Sequence, residues 1–306
     1  MNYSLNSLYK VIKTSRQAFH SKVDRFLMKE GELQQLRLIM DEFREDHPGM
    51  SLRDAYYVLQ PSCIGRDKFE AYFQSYGYGV GIKRSFRRTT NSNGVVRFPN
   101  LIEGIELTHV NQVWVSDITY FQVGTIFYYL TFIMDMFSRR ILGYNASKTL
   151  ITEHTTIPAL LMAFELRLRV KVPGLIIHSD GGGQYYSKEF RKLTEAAEML
   201  NSMGKTAIDN PHAERVNGII KNNYLKHYNP NSFKELRIML TKAVKMYNEQ
   251  KPHSALKRLT PTEFETKNVE IENNSSSYFP NSTLYDDDNF NKFENKMLTS
   301  KPVNVI

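Results

Sequence analysis

Apolar residues in the first quarter of the chain recur at helical spacing. Leu5, Leu8, Val11 and Ile12 form a short run, which Thr14-Ser15 breaks while offering an N-cap. Over residues 16–28 the pattern turns Ala18, Phe19, Val23, Phe26 and Leu27 inward and Arg16, Gln17, His20 and Lys22 outward. Residues 1–30 therefore read as a helix-turn-helix with a basic second helix. A second helical unit is expected over 31–80. It has an amphipathic run at 33–43, a helix capped by Ser51 with Asp54 three residues on, and a helix from Arg66 to Ser75. Arg66 and Lys68 make that last helix another candidate DNA reader. The glycine-rich stretch 81–107 carries Lys83, Arg84, Arg87 and Arg88 and reads as a basic linker along phosphates.

Near residue 108 the period changes from helical to alternating. Residues 113–123, 125–134 and 139–147 are rich in β-branched and aromatic side chains, which predicts an antiparallel meander. A helix over 156–170, a short buried strand at 175–178, a helix over 188–200 and another over 211–228 follow. A strand near 200–203 would bring the sheet to five. Strands first and then alternating helices predict an α/β layer fold over 108–228. Ser232 and Glu235 form a capping box for a helix over 233–247, inside a closing segment 229–267. Residues 268–306 are rich in Asn, Ser and Asp without an apolar period and read as a disordered tail.

Composition narrows the function classes. The 306 residues are 41% apolar and 12% aromatic, too many for a disordered protein. The single cysteine, Cys63, excludes an internal disulfide and a thiolate zinc site. The start lacks a secretory pattern, and the longest apolar run falls far below a membrane span, so a cytoplasmic protein is expected. The formal charge of +8 is uneven. The tail has three lysines against six acids, a net −3, which leaves +11 on residues 1–267. That balance points to a polyanion, with nucleic acid the commonest.

Three acids stand out by position. Asp117 interrupts an otherwise apolar strand, where an unpaired carboxylate is costly. Asp180 follows a buried strand at its carboxyl end, where α/β sheets place ligands. Glu214 lies early on a helix, and Lys221 lies seven residues on along the same face. Each has an ordinary alternative, since strand-end aspartates form turns and helical charges are solvated. Together such carboxylates can hold hard cations that prefer oxygen, such as Mg²⁺.

At these residues the chain resembles the DDE transposases of the IS3 family. The resemblance rests on Trp114-Val115-Ser116-Asp117-Ile118-Thr119-Tyr120, His178-Ser179-Asp180-Gly181-Gly182-Gly183-Gln184-Tyr185 and Asp209-Asn210-Pro211-His212-Ala213-Glu214 with Lys221. It continues through Met134-Asp135-Met136-Phe137-Ser138-Arg139-Arg140-Ile141-Leu142-Gly143, Tyr247-Asn248, Pro252-His253-Ser254-Ala255-Leu256 and Thr260-Pro261. It implies an RNase H-like, integrase-type catalytic core, here a mixed five-stranded sheet flanked by helices and preceded by all-α helix-turn-helix modules. It also implies a catalytic and metal-binding triad of Asp117, Asp180 and Glu214, with Mg²⁺ as cofactor and Mn²⁺ able to substitute.

The expected activity is cleavage of 3′ ends at the element's terminal inverted repeats, followed by strand transfer into target DNA. The partners implied are double-stranded DNA, at least a second copy on that DNA, and an upstream helix-turn-helix protein or frameshift fusion. The interval of 33 residues between Asp180 and Glu214 is shorter than the family's usual one. Lys221, His178 and Gln184 are expected near DNA, although His178 fits equally well as a core histidine. Trp114 is expected in the core, Asp135 as a turn cap, and Asn210 as ordering the loop before Glu214. A simple RNase H-like nuclease and a DNA-binding regulator with a dead core are the competing functions.

Overall fold

The computed structural model describes residues 4–81, 98–168, 171–204 and 210–275, with side chains as far as residue 268. The expected basic residues Lys83, Arg84, Arg87 and Arg88 lie outside them. Two compact units share the chain: Met1–Arg87 with Gly218–Arg258, and Arg88–Asn217 with Leu259–Ile306. The expected boundaries instead kept 108–228 together as one core and 229–267 as a separate closing segment.

The second unit is built on a five-stranded mixed sheet of order β3-β2-β1-β4-β5. Its strands are β1 (Val113–Val123), β2 (Ile126–Asp135), β3 (Ile141–Ser147), β4 (Ile176–Ser179) and β5 (Leu200–Met203). The first three pair antiparallel, while β4 runs parallel to β1 and β5 parallel to β4. This is the RNase H-like arrangement expected. One sheet face buries Trp114, Ile133, Leu142 and Ile177 against Ala159, Leu160, Ala163, Phe164, Phe190 and Leu193. Those partners come from the helices Thr156–Arg167 and Lys188–Ala196. At Gly143 on β3 an added Cβ would collide with the Ala159 carbonyl, so the first of these helices approaches the sheet there only because the position lacks a side chain. The described part of the expected linker packs on β5, with Met203 N–H donating to Pro99 O at 3.3 Å and Leu101 N–H to Ser202 Oγ at 2.9 Å.

The closing helix of this unit, Pro261–Ser275, continues past the point where structureless chain was expected. Its start explains why. Glu263 N–H donates to Thr260 Oγ1 and Thr260 N–H to Glu263 Oε2, a reciprocal capping box. Residues 276–306 lie outside the described ones.

The helical unit departs further from its expected form. After α1 (Leu5–Val11), a single helix α2 spans Arg16–Asp46, joining two runs that were read as separate. Gly31 is the weak point between them, but one glycine costs only about 1 kcal/mol and no proline lies within residues 16–46. The predicted inward residues are not buried: Phe26 is 65% and Leu27 61% exposed. Burial begins at Leu33, Leu36 and Met40, which pack with Leu52, Ala55, Phe69 and Phe73 from α3 (Leu52–Leu59) and α4 (Arg66–Ser75). Residues 1–30 therefore do not form a closed helix-turn-helix of their own.

The rest of this unit comes from far along the chain. The helix Phe233–Glu249 buries Leu236, Leu240, Ala243, Val244 and Tyr247. Its cap is the expected one, with Glu235 N–H donating to Ser232 Oγ at 3.1 Å. Long-range polar bonds tie these pieces together. Buried His47 lies 2.7 Å from Gln250 Oε1 through Nε2 and 3.3 Å from Tyr224 OH through Nδ1. Lys251 and Arg258 both pair with Asp54, at 2.8 and 3.0 Å.

Candidate active site

Parallel pairing of β1 with β4 brings the first two acids together. Val115 on β1 pairs with His178 on β4. Asp117 lies two residues further along β1 and Asp180 just past the end of β4, and both charges reach Tyr185. Both are half-buried. Beneath them the Tyr185 hydroxyl lies 2.8 Å from Ser116 Oγ, which itself donates to Phe132 O. Burial, reinforced by the charges of Asp117 and Asp180, pushes the Tyr185 phenol up, so it stays protonated.

Each carboxylate accepts a bond from a neutral donor. Gly182 N–H donates to Asp180 Oδ1 at 3.0 Å, and a Cβ at Gly182 would crowd the same oxygen. Asn217 Nδ2 donates to Asp117 Oδ2 at 2.6 Å. Burial raises the Asp180 carboxyl above its ordinary range, and the Gly182 bond offsets this only in part.

Glu214 lies in the first turn of the helix Pro211–Ile219 and is exposed. That helix is anchored on either side of it. Asn210 Nδ2 donates to Ser116 O at 2.9 Å, and Asn217, three residues after Glu214, reaches Asp117. Positions 210, 214 and 217 share one helix face, so Glu214 is carried on the face that meets β1. It does not close on the aspartates. Among the described residues no three His, Cys, Asp or Glu side chains are gathered to hold an ion. The donor set nevertheless suits a hard divalent cation, because Asp180 is a half-buried acid whose charged form burial disfavours and a cation would favour.

Other expected residues fall variously. His178 is fully buried, with Nδ1 2.9 Å from Ser202 Oγ, which corrects its expected DNA contact to the core alternative. Gln184 Nε2 donates to Leu150 O at 2.8 Å. Trp114 is buried and donates to Asn111 Oδ1, and Asp135 caps its turn through the Phe137 and Ser138 N–H groups at 2.9 Å. Arg16, Gln17 and His20 are exposed on α2, and on α4 Arg66 pairs with Asp67 at 2.8 Å while Lys68 is exposed. Lys221 lies in a π-helical turn, Ile220–Leu225, that follows the Glu214 helix.

Two residue groups escaped the sequence reading. Asn217 could have been found as the i+3 neighbour of Glu214 on one helix face. The Arg139–His212 bond carries no local signal, since 73 positions separate its partners. Burial first, then the charges of Arg139 and Arg215, hold the His212 imidazole down at about 4, so it is neutral near pH 7.

Residues 108–207 match a family model described as integrase core domain, and residues 197–261 match a second with the same description. An uncharacterised 31 kDa protein of insertion element IS600 from Shigella sonnei is 34% identical over 209 residues, covering 67% of this chain and 76% of that protein. The transposase of insertion element IS629 from Shigella sonnei is 31% identical over 158 residues, covering 51% of this chain and 52% of that one. The chain therefore spans about half the length of that second relative. Among solved structures, the HTLV-2 integrase catalytic core in complex with magnesium is 26% identical, with a TM-score of 0.43 over 51% of this chain and 96% of that one. Among the described residues no helix is long and apolar enough to cross a membrane. With an integrase-type core model matched across the sheet and a relative of this similarity over most of its length, the chain belongs to the IS3 family of insertion-sequence transposases.

Proposed function

We propose that this transposase cuts the 3′ ends of its element's terminal inverted repeats and joins them to target DNA, using Asp117, Asp180 and Glu214. The reading is supported by the parallel pairing of β1 with β4, beyond whose paired residues both aspartates lie, and by the bond of the Glu214 helix to Asp117 through Asn217. In the first step water attacks the scissile phosphorus, and the 3′ oxygen of the element leaves as a hydroxyl. In the second step that 3′-OH attacks a target phosphorus, and the target's own 3′ oxygen leaves.

Mg²⁺, or Mn²⁺ in its place, supplies positive charge where the attacking and leaving oxygens turn negative. The chain's own residues prepare that place. Asn217 orients Asp117, Gly182 orients Asp180, and Glu214 would complete the set of residues holding the ion. Lys221 grips a phosphate beside the scissile bond, while Arg16, Gln17, His20, Arg66 and Lys68 contact the DNA backbone. Two copies act on the paired ends, because joining engages both.

An oligonucleotide end whose transferred strand is labelled at its 5′ terminus tests this with Mg²⁺ or Mn²⁺. A transposase cuts and then joins, a simple nuclease only cuts, and a regulator with a dead core only binds. Binding without cutting overturns the reading. On pre-cut ends, Lys221→Ala should slow joining by about a hundredfold, the cost of misplacing a reacting group by roughly 1 Å. Wild-type joining by that variant would remove Lys221 from the joining step.

A further inference from the structure

We propose that Arg139 and His212 are a positioning pair that sets the Glu214 helix against the aspartates. This inference rests on the triad reading above. Arg139 closes the turn between β2 and β3, where its N–H donates to Asp135 O at 2.9 Å. Its φ of +63° is left-handed, a conformation that costs a non-glycine residue about 1–2 kcal/mol. From that turn its Nη1 meets Nδ1 of His212, the second residue of the Glu214 helix.

The chemistry of the bond fixes the imidazole. A guanidinium donates and never accepts, so Nδ1 must offer its lone pair and the ring proton sits on Nε2. The bond therefore holds one tautomer and one ring orientation two residues before Glu214. Asn210 and Asn217 hold the same helix, but both of their bonds run to β1 residues, Ser116 and Asp117. Those two anchors and the buried Ala213 and Val216 hold the helix on the side that meets β1. Arg139 adds an anchor from the β2–β3 turn, beside the start of β1, and fixes the helix near its first residues. Because Glu214 is exposed, its direction depends on the roll of its helix more than on packing of its own side chain. The strained backbone of Arg139 is the device that aims its guanidinium at the helix.

The test uses the full chain in preformed complexes with a labelled end, started by Mg²⁺ and followed through one turnover. Arg139→Ala and His212→Ala should each slow cutting by about ten- to a hundredfold. End affinity should stay within about twofold, and the melting temperature should hold. His212→Asn offers an amide oxygen where Nδ1 stood and should recover most of the rate. The double alanine variant should be no slower than the slower single one, since both remove the same bond.

Wild-type rates in the alanine variants overturn the pairing, as do losses that multiply in the double variant. If either alanine variant melts early, His212→Asn decides alone: a rate within about threefold of wild type supports the pair, and a hundredfold loss overturns it. Glu214→Gln run alongside separates the two readings. If it cuts like wild type, the triad falls and the inference with it. If it is dead while Arg139→Ala cuts normally, only the positioning role falls.

Discussion

Two groups of acids in the sheet unit are held in opposite ways. Glu265, on the closing helix, is buried and accepts from Arg167 at 2.6 and 2.8 Å, from Arg140 at 2.6 Å and from Ser138 at 2.6 Å. Burial alone would raise its carboxyl, but Arg167, Ser138 and Arg140 together hold it below its ordinary value. Asp180, half-buried, accepts from a backbone N–H and is pushed the other way. One acid is matched to fixed cations and locks a helix to the sheet. The other stays in an environment that penalises its charge, which agrees with the metal-binding role proposed for it. Nearness of acids is a weaker sign of a catalytic centre than the kind of donor that satisfies them.

The sharpest way to break this comparison is to neutralise each acid in turn. Asp117→Asn, Asp180→Asn and Glu214→Gln should each reduce cutting far beyond the roughly 10–100-fold that loss of an outer partner costs a metal site. Asp180→Asn should also leave the metal-free protein as stable as wild type or more so, since it removes a charge that folding disfavours. End binding should survive, because the basic surface that supplies most affinity is untouched. Gel assays of cutting and binding, with melting curves in chelator, check all three outcomes.

Glu265→Gln should do the reverse. It strips the counter-charge from two enclosed guanidiniums, and breaking such a pair costs about 3–5 kcal/mol. The pH dependence has a definite sign. Glu265's folded pKa is depressed, so its stabilisation is present above the unfolded value, about 4.3, and is lost as pH falls through the folded one. Melting curves between neutral pH and pH 3 should therefore steepen in wild type and flatten in Glu265→Gln.

A smaller effect is expected at Asn217. Asn217→Ala removes the donor that orients Asp117 and should cost about ten- to a hundredfold in metal affinity or rate. Titrating Mg²⁺ against cutting rate measures it.

How much of this the sequence carries depends on distance along the chain. The five strands follow from local alternation and β-branched content, and Asp117 betrays itself because an acid in an apolar strand needs a reason. Ser51, Ser187 and Ser232 accept from the third residue beyond them, as local capping rules require. The reciprocal Thr260–Glu263 box is equally local, and the helix it starts, Pro261–Ser275, stands where only a closing segment and a tail were expected. What local pattern does not hold is pairing across a hundred residues, such as Asn217 with Asp117 or Arg167 with Glu265. The long α2 was misread for another reason. Its first half has an apolar stripe that nothing in the described unit buries, so periodicity was present without the burial it usually reports.

Ser138 gives the finest test of the contrast. Its hydroxyl donates to Glu265 Oε1 at 2.6 Å and accepts from Arg140 N–H at 3.3 Å, so it is the neutral member of an otherwise charged cluster. Ser138→Ala removes one donor from a carboxylate that keeps both arginines. The turn itself keeps its cap, because Asp135 bonds the backbone N–H of residue 138 whatever the side chain. The loss should be near 1.5 kcal/mol, the low end for a hydrogen bond to a charged group, and well below that of Glu265→Gln. Cutting should be unchanged, since Ser138 belongs to the acid group that locks the fold. A melting shift as large as that of Glu265→Gln would mean that the hydroxyl, and not the arginines, makes this buried acid tolerable.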